Sequence, residues 1–155
     1  MRTRTDYFCD AVRIAPLVAA CESWRGTPFR GRSCVKGAMG GVDCVGFVGA
    51  VFHEIGAVPM SVSIPDYAIN HAEHSDESVL RGWFERAEVR ARVRRVDEAE
   101  ASLPGDLVFP VVGRCEHHLG LQLGSVVWHV TRGAGVCTMT VRQLKIAASR
   151  YRLTV

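Results

Sequence analysis

Six cysteines and six histidines are spread through 155 residues, and a few of them stand where nucleophilic chemistry is possible. Cys44 lies in VDCVGFVGAVFHEIGAVP, where Cys44, Phe47, Val48, Val51, Phe52 and Ile55 recur at the three-four spacing of a helix. Asp43 occupies the N-cap position, and Gly56 followed by Pro59 gives the stop signal. A thiol in the first turn of a helix faces unpaired N–H groups and the positive end of the macrodipole, and both favour the thiolate. The same N–H groups can stabilise the oxyanion formed when a thiolate attacks an amide, with that of Cys44 itself the expected donor. Gly46 leaves the approach uncluttered.

A thiol nucleophile needs a base, and imidazole suits the task because it titrates near working pH. His118 opens the segment HLGLQLG, read as a strand that can hold a ring in one orientation. His129 lies in the next strand, SVVWHVT, beyond the turn at Gly124 and Ser125, so the two histidines are expected as cross-strand neighbours with His129 fixing the tautomer of His118. His117 is adjacent to His118 and could be the base instead, but neighbouring strand residues face opposite sides, so only one of the two can see the cysteine and the other is exposed. Cys115, His117 and His118 with His71 and His74 lack workable zinc spacing, so neither a metal nor another cofactor is expected. His53, His71 and His74 read as surface residues.

These groups need elements to position them. A helix is expected from Tyr7 to about Cys21 on the spacing of Phe8, Val12, Ala15, Val18 and Ala19, with Pro16 inside it. The segment from Gly26 to Gly41 carries five glycines and a proline and reads as an irregular loop. From Met60 to Ser102 the period is weak until VRARVRRV, where Val89, Ala91 and Val93 alternate with arginines as in an edge strand. Arg90, Arg92, Arg94 and Arg95 are then a solvated face that protects the edge.

Short strands follow in DLVFPVV, HLGLQLG, SVVWHVT and GVCTMT, an antiparallel meander, and VRQLKIAASRYRLTV reads as a short helix and a final strand. The fold class is therefore α+β, with helices packed on one side of an antiparallel sheet and residues 1–155 forming one domain. Trp24, Trp83 and Trp128 are expected in the core.

The net charge of +3 comes from scattered arginines and is not a nucleic-acid footprint. No apolar run approaches the roughly 20 residues of a membrane span, and Asp10, Arg13 and Pro16 interrupt any signal-peptide core. Cytoplasmic synthesis without a signal peptide is expected. Free thiols go with it, and Cys9, Cys21, Cys34, Cys115 and Cys137 read as small buried hydrophobes.

Five segments in order resemble one known family: WRGTPF, GGVDCVGFV, PGDLVF, HLGLQLG and VVWHV. The family is the NlpC-type peptidoglycan endopeptidases, which have a papain-like fold. The resemblance implies that Cys44 is the nucleophile, His118 the base and His129 the residue that orients it. It also implies a substrate, the cell-wall peptide linking D-glutamate to a diamino acid.

Asp43 matches an aspartate suited to pairing with the amino group of a stem peptide, although N-capping alone would explain it. Two departures bear on substrate binding: Val45 replaces the usual serine after the cysteine, and Phe29 the usual tyrosine. The long glycine loop looks like the short members carried by phage tails or phage-derived particles, which would be its protein partners. An acyltransferase or deamidase using the same Cys–His pair, or an inactive tail component, are the alternative readings.

Overall fold

The computed structural model describes residues 4–62, 79–112, 115–116, 118–144 and 146–155. The first helix, α1 (Ala11–Trp24), starts where the Asp10 side chain accepts the amide of Arg13 at 3.0 Å. Its buried side is Leu17, Ala20, Cys21 and Trp24, whereas Val12 is 82% exposed and Val18 is also exposed. Apolar residues lie around much of this helix, so periodicity leaves its inner face open and packing against the second helix selects it.

The glycine loop contains a two-stranded ribbon, β1 (Cys34–Val35) and β2 (Gly41–Val42). A Cβ at Gly40 would fall 1.9 Å from the carbonyl oxygen of Val35, so only glycine closes this turn. The chain then enters α2 (Cys44–Glu54), whose Val45, Phe47, Val48, Val51 and Phe52 are all buried.

A short helix, α3 (Val79–Phe84), comes next, and in VRARVRRV the expected strand from Val89 gives way to the end of a second one, α4 (Ala87–Arg90), and then to β3 (Val93–Val96). Val89 is buried from α4 rather than from a strand, because a single helical turn can present one valine inward as well as alternation can. β3 does lie at a sheet edge and pairs with the last strand.

The remaining elements are β4 (Asp106–Val112), β5 (Cys115–Glu116), β6 (Gly120–Leu123), β7 (Val126–Thr131), β8 (Gly135–Thr140), α5 (Val141–Leu144) and β9 (Ile146–Leu153). Among the described residues the main sheet runs β3-β9-β4-β6-β7-β8, with β5 beside β4. β6, β7 and β8 form the expected meander, but β9 returns to lie between β3 and β4, which sequence order does not show.

α2 packs on β6 and β7, and its apolar face meets Leu119, Leu121, Trp128 and Val130 in one buried cluster. Phe84, Phe109 and Tyr151 form a second knot, with ring centroids 5.0 to 5.4 Å apart. Trp24 and Trp128 are buried, and Trp83 packs half-buried against the core. No helix among the described residues is long and apolar enough to cross a membrane.

Arg94 is more than a solvated edge charge. It bridges Asp6 at 3.1 Å and Glu100 at 2.9 Å, and its bond to Glu100, with the amide of Asp97, pulls the Glu100 carboxyl down to about 2. Arg152, on the neighbouring strand, grips the fully buried Asp106 through Nε at 2.6 Å and Nη2 at 2.9 Å, and reaches Asp6 at 3.2 Å. This network ties the N-terminal segment, the loop before β4 and β9 together.

Removing the charge of Asp106 leaves the Arg152 guanidinium buried without its main partner. Asp106→Asn is expected to cost about 3 to 5 kcal/mol of stability, measured by urea unfolding. A loss below about 1 kcal/mol would mean that the pair is not the clasp described here.

Candidate active site

Asp43 is buried, and its carboxylate makes two hydrogen bonds that fix where α2 begins. Oδ1 accepts the amide of Gly46 at 2.7 Å, and Oδ2 accepts the amide of Arg32 at 2.9 Å. Its carbonyl accepts the amide of Phe47 at 2.9 Å. A Cβ on Gly46 would stand 3.0 Å from Asp43 Oδ1 and 3.3 Å from the Ser33 carbonyl, so the short residue protects the cap.

Cys44 is the first residue of α2 and is 7% exposed. Its amide belongs to the helix turn whose dipole favours a thiolate or an oxyanion.

The loop before it is tied down on both sides. Val42 donates to the Pro28 carbonyl at 2.9 Å and accepts from Arg30 at 3.1 Å. The amide of Val136, at the start of β8, donates to the buried Thr27 at 2.9 Å. Gly135 has φ +67°, and a Cβ there would meet the Thr27 carbonyl at 2.1 Å.

His118 precedes β6 by two residues rather than opening the strand. The β6–β7 register pairs Leu121 with Trp128, which puts His118 and His129 on a diagonal of the sheet. The half-buried His118 turns its Nε2 to Nδ1 of His129 at 3.0 Å, with the rings edge to face at 77°. With Nε2 committed to His129, proton exchange with a thiol falls to Nδ1 of His118.

His129 is 2% exposed, and burial lowers its pKa, so its neutral form is favoured. Its Nε2 lies 3.7 Å from Cys137 Sγ, on the directly paired residue of β8. Cys137 was not among the expected site residues, although the β7–β8 turn fixes this pairing. Because α2 packs on β6 and β7, the helix bearing Cys44 rests on the strands that position the two histidines.

The residues expected to bind substrate are placed differently. Val45 is buried and lines an apolar cavity of about 70 Å³ with Val48, Phe52, Leu107 and Leu119. Phe29 is half-buried beside Val42, and the Arg132 guanidinium lies 5.5 Å above its ring. Both oxygens of Asp43 serve backbone amides.

The other thiols divide by environment. Burial pushes Cys21 up to about 12, and desolvation raises Cys34 even though that residue is exposed, as Cys9 is. The buried reading therefore fails for Cys9 and Cys34, which lie outside the helix interiors. Half-buried His53 also lines the apolar cavity, while His71, His74 and His117 lie outside the described residues. Among the described residues no group of three or more His, Cys, Asp or Glu side chains is arranged to hold a metal ion.

No family model and no curated protein matches the sequence. Solved structures do match. The NlpC/p60 domain of the peptidoglycan hydrolase SagA superposes with a TM-score of 0.54 at 18% identity, covering 92% of this chain and 98% of that one. The peptidoglycan hydrolase RipB from Mycobacterium tuberculosis gives a TM-score of 0.59 at 22% identity, over 93% of this chain and 66% of that one. An NLP/P60-family protein similar to a lipoprotein, from Staphylococcus aureus, gives 0.58 at 16%, over 97% and 44%. The chain thus spans under half of the staphylococcal protein. Its fold is that of the NlpC/p60 domains, a papain-like α+β architecture.

The lowered pKa of His129 has a consequence for stability. An unfolded histidine titrates near about 6.5 and binds its proton before the buried one does, so the unfolded state gains protons first as pH falls. Stability is full above that value and is lost as pH drops through the lowered one. Replacing the titrating ring in His129→Asn is expected to flatten this acid slope, read as melting temperature against pH. An unchanged slope would place the acid sensitivity elsewhere.

Proposed function

We propose that this chain is a cysteine peptidase that hydrolyses amide bonds in peptidoglycan stem peptides, with Cys44 as nucleophile, His118 as base and His129 as the residue that orients it. The observation that carries the reading is the 3.0 Å contact between His118 Nε2 and His129 Nδ1, in a fold shared with peptidoglycan hydrolases that seats a cysteine at a helix start. Nδ1 of His118 takes the thiol proton, and the thiolate attacks the carbonyl carbon. The oxyanion develops against the first-turn amides of α2. Protonated Nδ1 then donates to the leaving amine, and a water activated by the same nitrogen hydrolyses the thioester.

The bond proposed is the one between D-glutamate and a diamino acid. Asp43 would serve the amino end of the stem peptide with the acceptor capacity its two amide partners leave. Phe29 would offer an aromatic wall without the hydroxyl of a tyrosine. Carriage by a phage tail or phage-derived particle is proposed with it and is tested by whether the chain copurifies with particles.

Incubation with purified wall peptides, followed by mass analysis, tests the function. Wild type is expected to release fragments cut between D-glutamate and the diamino acid, and Cys44→Ala none. His118→Ala is expected to lose about 10² to 10⁴ fold in rate, while His129→Ala keeps more because orientation is easier to replace than proton transfer. Intact peptides with wild type, or equal slight losses in both histidine variants, would contradict the assignment.

A further inference from the structure

Neutral His118 can accept the thiol proton on Nδ1 only if its own proton sits on Nε2. That N–H must then donate to His129, whose Nδ1 is 3.0 Å away and has to present a lone pair. A neutral His129 with a bare Nδ1 carries its proton on Nε2. The opposite tautomer would set two N–H groups against each other or leave His118 protonated on the nitrogen needed as base.

What faces His129 Nε2 is Cys137. The two residues are directly paired across β7 and β8, and Sγ stands 3.7 Å from Nε2. Thr131 Oγ1 lies 4.0 Å from the same sulfur and accepts the amide of Ala134 at 3.0 Å. The thiol proton can turn to Thr131, which leaves the sulfur lone pairs towards the imidazole. His129 is 2% exposed, so this sulfur takes the place that water would hold at an exposed ring.

We propose that Cys137 is a positioning residue: its sulfur accepts a hydrogen bond from the Nε2–H of His129 and so selects the tautomer that lets His118 act as base. The proposal rests on the reading of Cys44 and His118 given above. It extends the relay by one residue, to Cys44, His118, His129 and Cys137 in order, the last contributed by β8. The loop carrying Phe29 is tied to the same strand through Thr27 and Val136.

The test needs no substrate. Nitrogen-15 NMR of imidazole-labelled protein reads the tautomer of His129 directly. Wild type is expected to carry the proton on Nε2. Cys137→Val, close in size but without an acceptor, is expected to shift the population towards Nδ1 protonation, and Cys137→Ser to restore the wild-type pattern.

In wall-peptide hydrolysis, Cys137→Val should lower kcat about tenfold with KM little changed, the size of effect a lost hydrogen bond gives, and Cys137→Ser should recover most of it. Should Cys137→Val fail to fold, Cys137→Ala carries the same comparison. A wild-type His129 protonated on Nδ1, or a tautomer unmoved by the apolar variants, overturns the proposal. Failure to cleave wall peptides overturns the function instead, because the NMR result stands without it.

Discussion

The carboxylate of Asp43 accepts one amide from the helix it caps and one from the loop in front of that helix, and the position of Cys44 follows from both bonds. If α2 began one residue later, the thiol would leave the turn where the dipole and the amides act on it. If the loop were free, the approach to the thiol would not be defined. Gly46 is short because Asp43 stands over it, and β2 is stitched to the segment containing Phe29 because it delivers the chain to Asp43. One buried side chain thus sets both the electrostatics and the access of the sulfur.

The histidines are held by a different device. A sheet register, rather than a cap, decides where each ring lies, and the register is set by β6 and β7 buried against α2. The apolar face of α2 therefore joins the element carrying the sulfur to the strands that hold the imidazoles. The ion-pair network around Arg152 and Asp106 sits on another part of the sheet. It clamps the N-terminal segment and β9 to β4, the strand that pairs with β6.

The pieces that hold the site were legible because they are local. Asp43 before an apolar three-four run announces a capped helix, and two alternating runs around Gly124 and Ser125 announce the pairing that brings His118 to His129. The inner face of α1 was not legible, since Val12 and Val18 are as apolar as Leu17 and only the partner helix chooses between them. Nor was the place of β9 between β3 and β4, which depends on long-range pairing that no short segment encodes. The helical turn in place of a strand at Val89 shows that alternation over a few residues fits one helical turn equally well. In the sequence Cys137 looks like any small buried hydrophobe, because its partner is visible only once the β7–β8 register is written out.

The central claim is that the Cys44 thiol exchanges its proton with His118. The most direct measurement is the rate of Cys44 alkylation against pH, followed by mass analysis of its peptide, in wild type and His118→Ala. The account predicts that wild type keeps reacting well below the pH at which a free thiol of pKa about 8.5 slows, and that His118→Ala falls back to the free-thiol curve. Superimposable curves for the two proteins would contradict it.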